Sequence, residues 1–113
     1  MDVNTYLRGA SSLFSMAMKV EAVEFLQLVR DTAQVLDNES GCVGSLKITG
    51  RLVTLPPKGD AVVVGDIHGD LQSLSHILKH SGFMEKADKD ENVFIIFLGD
   101  YGDRGPYSPE VYY

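Results

Sequence analysis

Two short apolar runs without alternation mark the C-terminal half of the chain: Ala61-Val62-Val63-Val64 and Val93-Phe94-Ile95-Ile96-Phe97-Leu98. Continuous apolarity over so few residues predicts strands covered on both faces, as in the interior of an α/β sheet. Between them, Leu71, Leu74, Ile77 and Leu78 recur at three-and-four spacing. That stripe predicts a helix over 70–81 with Asp70 as its N-cap. Strand, helix and strand in this order form a βαβ unit, with parallel strands and a right-handed crossover. The charged stretch from Lys86 to Glu91 reads as a solvated connection.

Upstream, positions 20, 23, 26, 29, 33 and 36 share a helical stripe, which predicts a helix from about Val20 to Leu36. Asn38-Glu39-Ser40-Gly41 then supplies a stop. Ser45 to Leu55 alternates and is broken by Gly50-Arg51, the pattern of a hairpin or a bulged strand. Pro56-Pro57-Lys58-Gly59-Asp60 is a turn cluster. Leu13 to Met18 fits either a short helix packed on the rest or a weakly ordered arm. Ser108, Pro109 and Glu110 give a coherent helix start, with Ser as N-cap and Pro at the first helical position.

Composition narrows the function classes. The chain has 113 residues, 44% hydrophobic and 23% charged, which suits one globular domain and not a coiled coil or a disordered chain. Its net charge of −6 argues against a nucleic-acid coat or a polybasic membrane binder. The single cysteine, Cys42, cannot form an internal disulfide and suits a reducing compartment. No apolar run approaches the ~20 residues of a membrane span. Met1-Asp2-Val3-Asn4 lacks the basic start of a signal peptide. The expectation is a cytoplasmic protein.

Both apolar runs end in the same chemistry. Gly65-Asp66-Ile67-His68-Gly69-Asp70 follows the first, and Gly99-Asp100-Tyr101-Gly102-Asp103-Arg104-Gly105 follows the second. Five of the eleven glycines fall in these two loops, more than turn formation alone requires. In open α/β sheets ligands bind at the carboxyl ends of strands, so the two loops are expected to converge. Asp66 and His68 stand two apart and would point the same way from an extended segment. One carboxylate and one imidazole suit Mn²⁺, Fe²⁺ or Zn²⁺ better than Ca²⁺. Asp100, at the equivalent place on the second strand, could bridge two ions. Arg104 offers a planar fork for phosphate oxygens. Asp103 could orient a histidine or pair with Arg104. His76 and His80 have i, i+4 spacing but fall on the polar side of their helix, so they read as a solvated face.

The motifs GDIHG (65–69) and GDYGDRG (99–105) resemble the calcineurin-like metallophosphoesterases, and more closely the PPP-type serine/threonine protein phosphatases. The likeness runs from about Leu52 to Tyr113; residues 1–45 resemble that family's helical lead-in only loosely. The resemblance implies the N-terminal half of an α/β/β/α metallophosphoesterase fold, with 1–45 as lead-in and 46–113 as the first part of a catalytic domain. It implies that Asp66 and His68 bind one metal and Asp100 bridges two. Arg104 would bind substrate phosphate, and Asp103 would support a catalytic histidine that protonates the leaving group. The cofactors implied are two divalent ions, Mn, Fe or Zn. The implied reaction is hydrolysis of phosphoserine or phosphothreonine esters in a phosphoprotein by metal-activated water. Gly102 stands where the family usually has Val. The family's GNHE motif and later histidines are missing, and the last histidine is His80. The expectation is therefore an incomplete site with little activity alone. Two alternatives stand beside it: a symmetrical diadenosine tetraphosphatase-like hydrolase, and a non-catalytic metallophosphoesterase-like module. An open sheet edge further predicts self-association.

Overall fold

The computed structural model describes residues 10–113, which hold five helices and five strands. They pack as two units, one of residues 10–20 and 60–113, the other of residues 21–59.

The first unit is the βαβ arrangement that the apolar runs predict. Strand β4 (Asp60–Val64) pairs in parallel with β5 (Val93–Phe97), in a register that sets Val64 opposite Phe97. Helix α3 (Leu71–His80) connects them, followed by α4 (Phe83–Asp88). Asp70 caps α3 as expected: one carboxylate oxygen accepts from the Ser73 amide at 2.9 Å and the other from the Ser73 hydroxyl at 2.6 Å. Helix α1 (Ala10–Ala17) packs on α3, which selects the short helix from the two readings of Leu13–Met18. The buried apolar side chains among the described residues are Ala17, Val64, Ile67 and Leu71. All four lie in this unit; Val64 and Leu71 flank the first glycine-rich loop and Ile67 lies within it.

Three local expectations are corrected. The charged stretch 86–91 is not all loop, because Phe83, Met84 and Ala87 give α4 an apolar side. An ion pair from Lys86 in α4 reaches Asp60 at the start of β4. The two strands are also not covered on both faces. Val64 is buried, but Val63 is exposed and β5 is half-buried along its length. The last helix, α5 (Ser108–Tyr112), takes Tyr107 as its N-cap, with no side-chain capping bond.

The second unit holds helix α2 (Ala22–Asn38) and an antiparallel sheet of β1 (Gly41–Val43), β2 (Leu46–Thr49) and β3 (Leu52–Thr54). Gly50-Arg51 forms the β2–β3 turn, so the hairpin reading holds there. The helix-stop residues lead directly into β1, a strand the alternation did not reveal. The 45/46 boundary drawn from the motifs falls in the turn between β1 and β2. No residue of α2 is buried.

Candidate metal centre

Parallel strands place their carboxyl ends side by side, and the two loops leave β4 and β5 together. Their backbones then lock. The amides of Ile67 and His68 both donate to the Asp100 carbonyl, at 3.0 and 2.8 Å. Gly69 donates to the Tyr101 carbonyl at 2.8 Å, and Gly105 donates to the His68 carbonyl at 2.7 Å. Tyr107 closes the set by donating to the Gly69 carbonyl at 3.2 Å.

Such close backbone approach explains two glycines. A Cβ on Gly105 would collide with the His68 carbonyl, and a Cβ on Gly69 would lie 2.7 Å from the Ser108 Oγ and 3.0 Å from the Gly105 carbonyl. A third, Gly102, lies beneath the Tyr112 ring, whose nearest carbon would sit 3.0 Å from an added Cβ. The small residue therefore does not loosen this region. Tyr112 fills the space, and its ring centroid lies 5.7 Å from that of Tyr101, which in turn lies 5.9 Å from Phe97.

The backbone is left-handed at His68, Asp100, Asp103 and Arg104, with φ of 49°, 51°, 59° and 59°. Non-glycine residues rarely take this conformation, and its concentration in one place marks a functional site. It also corrects how Asp66 and His68 meet. They do not share one side of an extended segment. The turn at His68 folds the imidazole back, so that its Nε2 lies 3.4 Å from Asp66 Oδ2.

Asp66, His68 and Asp100 each present a ligand atom, and all three lie within 4.8 Å of one another. Ligands about 2.1 Å from a common ion in tetrahedral array lie roughly 3.4 Å apart, so a slight closure of these side chains fits one divalent ion. The donor set of two carboxylates and one imidazole suits Mn²⁺, Fe²⁺ or Zn²⁺. His76 and His80 stack on each other, with ring centroids 4.3 Å apart, and do not join this group.

Asp103 and Arg104 border the group. Asp103 Oδ1 lies 3.0 Å from His68 Nδ1 and 3.7 Å from Arg104 Nε. The Gly102 carbonyl lies 3.3 Å from the same His68 nitrogen. Partial burial favours the neutral imidazole, but the Asp103 carboxylate and the Gly102 carbonyl outweigh it and hold the His68 pKa above its ordinary value. The Arg104 side chain is 79% exposed, so its guanidinium is available to an incoming anion. The sequence had Asp103 orienting a histidine or pairing with Arg104 without naming His68 as that histidine, and it gave no sign of the Tyr112 cover over Gly102 beyond the Gly102 departure itself.

These loops bring together a candidate metal site at the carboxyl ends of two parallel strands. Residues 61–113 match the family described as calcineurin-like phosphoesterase. The relatives are protein phosphatases. Shewanella-like protein phosphatase 1 of Plasmodium berghei is 43% identical over 56 residues, 48% of this chain and 16% of the relative. Serine/threonine-protein phosphatase 7 of Arabidopsis thaliana is 35% identical over 88 residues, 78% of this chain and 18% of the relative. Serine/threonine-protein phosphatase SIT4 of Candida albicans is 39% identical over 57 residues, 50% of this chain and 18% of the relative. The matched stretch thus spans less than a fifth of each of these relatives. No solved structure matches the chain.

Proposed function

We propose that the chain contributes the first half of the active site of a metal-dependent serine/threonine phosphoprotein phosphatase. The observation that carries this reading is the convergence of Asp66, His68 and Asp100 beside an exposed Arg104. A divalent ion held there would activate a water for attack on phosphorus and neutralise charge on the phosphate oxygens.

The chain's own residues have separate tasks. Asp66 and His68 would hold one ion, and Asp100, whose carboxylate has two oxygens, could share in holding a second. Arg104 holds substrate phosphate through its planar fork, and its exposed side chain can reach an ester on a protein surface. The glycine contacts at 69 and 105 keep the loops in register, so that the ligands and Arg104 converge on one point. With three ligand side chains and no further histidine nearby, these residues alone turn over phosphate esters slowly.

Titration calorimetry with Mn²⁺ tests the reading, alongside release of phosphate from a phosphoserine peptide. Mn²⁺ binding that is weakened at least tenfold by Asp66→Ala, His68→Ala or Asp100→Asn is expected, with marginal hydrolysis that requires the ion. Binding unaffected by all three substitutions would overturn it.

A further inference from the structure

The two nitrogens of His68 meet different surroundings. Nε2 faces Asp66 and the candidate metal position, while Nδ1 faces Asp103 Oδ1 at 3.0 Å and the Gly102 carbonyl at 3.3 Å. A carbonyl oxygen and an ionised carboxylate can only accept hydrogen bonds. A neutral imidazole satisfies both only with its hydrogen on Nδ1, which leaves the Nε2 lone pair free to bind an ion. Near Nε2 stands Asp66 Oδ2, a more distant acceptor at 3.4 Å.

We propose that Asp103, with the Gly102 carbonyl, is a positioning clamp that fixes the His68 tautomer and ring orientation so that Nε2 is the metal-binding atom. This rests on the reading of Asp66, His68 and Asp100 as a metal centre. It gives Asp103 a task within this chain that needs no second histidine.

The clamp has its own support. Asp103 and Arg104 sit in left-handed backbone between two fixed points, Gly102 and Gly105. Gly102 is held under the Tyr112 ring, and Gly105 is held by its bond to the His68 carbonyl. The same short segment therefore grips His68 twice, by its backbone carbonyl and by its ring. Arg104 Nε lies 3.7 Å from the same Asp103 oxygen. In metal sites generally, a carboxylate behind a ligating histidine fixes tautomer and orientation, and its removal costs about 10–100-fold in metal affinity.

The test has two readouts on the whole chain. The first is the ¹⁵N spectrum of the His68 ring without metal, at a pH above its titration midpoint, assigned with His76→Gln and His80→Gln. The second is Mn²⁺ affinity by calorimetry. The wild-type ring is expected to carry its hydrogen on Nδ1. Asp103→Ala is expected to mix the two tautomers and weaken Mn²⁺ binding about 10–100-fold. Asp103→Asn, whose amide oxygen still accepts and whose residue type tolerates positive φ, is expected to keep the Nδ1–H tautomer and most of the affinity. It also serves where the alanine variant fails to fold.

An unchanged tautomer in Asp103→Ala, or an Nε2–H tautomer in wild type or in Asp103→Asn, would overturn the clamp. A mixed tautomer with unchanged Mn²⁺ affinity would overturn its role in metal binding. No Mn²⁺ binding by the wild-type chain would overturn the metal-centre reading instead, and the spectrum would still decide whether Asp103 sets the tautomer.

Discussion

Gly105 is the residue whose replacement should be felt most sharply, because its α-carbon faces backbone and not a movable side chain. A methyl group there meets the His68 carbonyl and the Gly69 peptide at distances that neither can relieve without parting the two loops. Gly105→Ala should therefore cost about 1–3 kcal/mol in urea unfolding and weaken Mn²⁺ binding at the same time, since the bond it breaks also carries His68. A control at Gly44, where an added Cβ meets nothing, should leave Mn²⁺ affinity unchanged. At this scale the sequence was informative about chemistry and silent about conformation. Asp66, His68 and Asp100 are legible because carboxylate and imidazole at strand ends have few other uses in such number. The left-handed turns at His68 and Asp100 are not legible, because Asp and His tolerate positive φ without requiring it, and here the long-range bonds to the Asp100 and His68 carbonyls accompany it.

Among elements, α3 and its cap link the first loop to the buried centre of its unit. Asp70 occupies both the amide and the hydroxyl of Ser73, so Asp70→Ala should lower stability by about 1 kcal/mol, measured by denaturant melts at neutral pH. Helix α4 is tied differently. Lys86 reaches Asp60 across 26 residues of sequence, and the Asp60 carboxylate holds the lysine pKa above 10.5. A cation whose folded pKa is raised contributes fully below its unfolded value, and the contribution is lost as pH rises through the folded one. Melts should therefore show an alkaline loss of stability beginning near 10.5 that Lys86→Gln lacks, and added salt should shrink it because the pair is exposed. Why α3 was legible and α4 was not follows from their patterns. Leu71, Leu74, Ile77 and Leu78 make a stripe of two full turns, whereas Phe83, Met84 and Ala87 make barely one, embedded among charges. Strand β1 was hidden for a related reason: Gly41-Cys42-Val43 is too short to show alternation, and its pairing with Leu46–Ile48 is what makes it a strand.

In the whole molecule, order and chemistry are distributed unequally. Every buried apolar side chain among the described residues lies in the unit that carries the loops, and α2 buries none. Val23, Leu26, Val29 and Leu36, four positions of the stripe that predicted this helix, stand exposed along it, as does Val35 beside them. The stripe was read correctly as a pattern, but a pattern records which face is apolar and not what covers it. Local opening follows buried contacts, so amide exchange should be fast in 22–54 and slow at Val64, Ile67 and Leu71. An ion at the candidate centre would join two loops that are separated by some thirty residues of chain and otherwise held by a few backbone bonds. Binding to the folded state alone stabilises what it binds, in proportion to the logarithm of ion concentration over Kd. Saturating Mn²⁺ should therefore slow exchange at 66–69 and 99–105, where both the ligands and the loop-to-loop bonds reside. It should leave 41–54, which holds no candidate ligand, unchanged. Exchange followed by mass spectrometry checks both halves of this expectation. Uniform slowing along the chain would indicate that the ion acts on association or overall compaction, and slowing confined to 22–54 would place it away from the candidate centre.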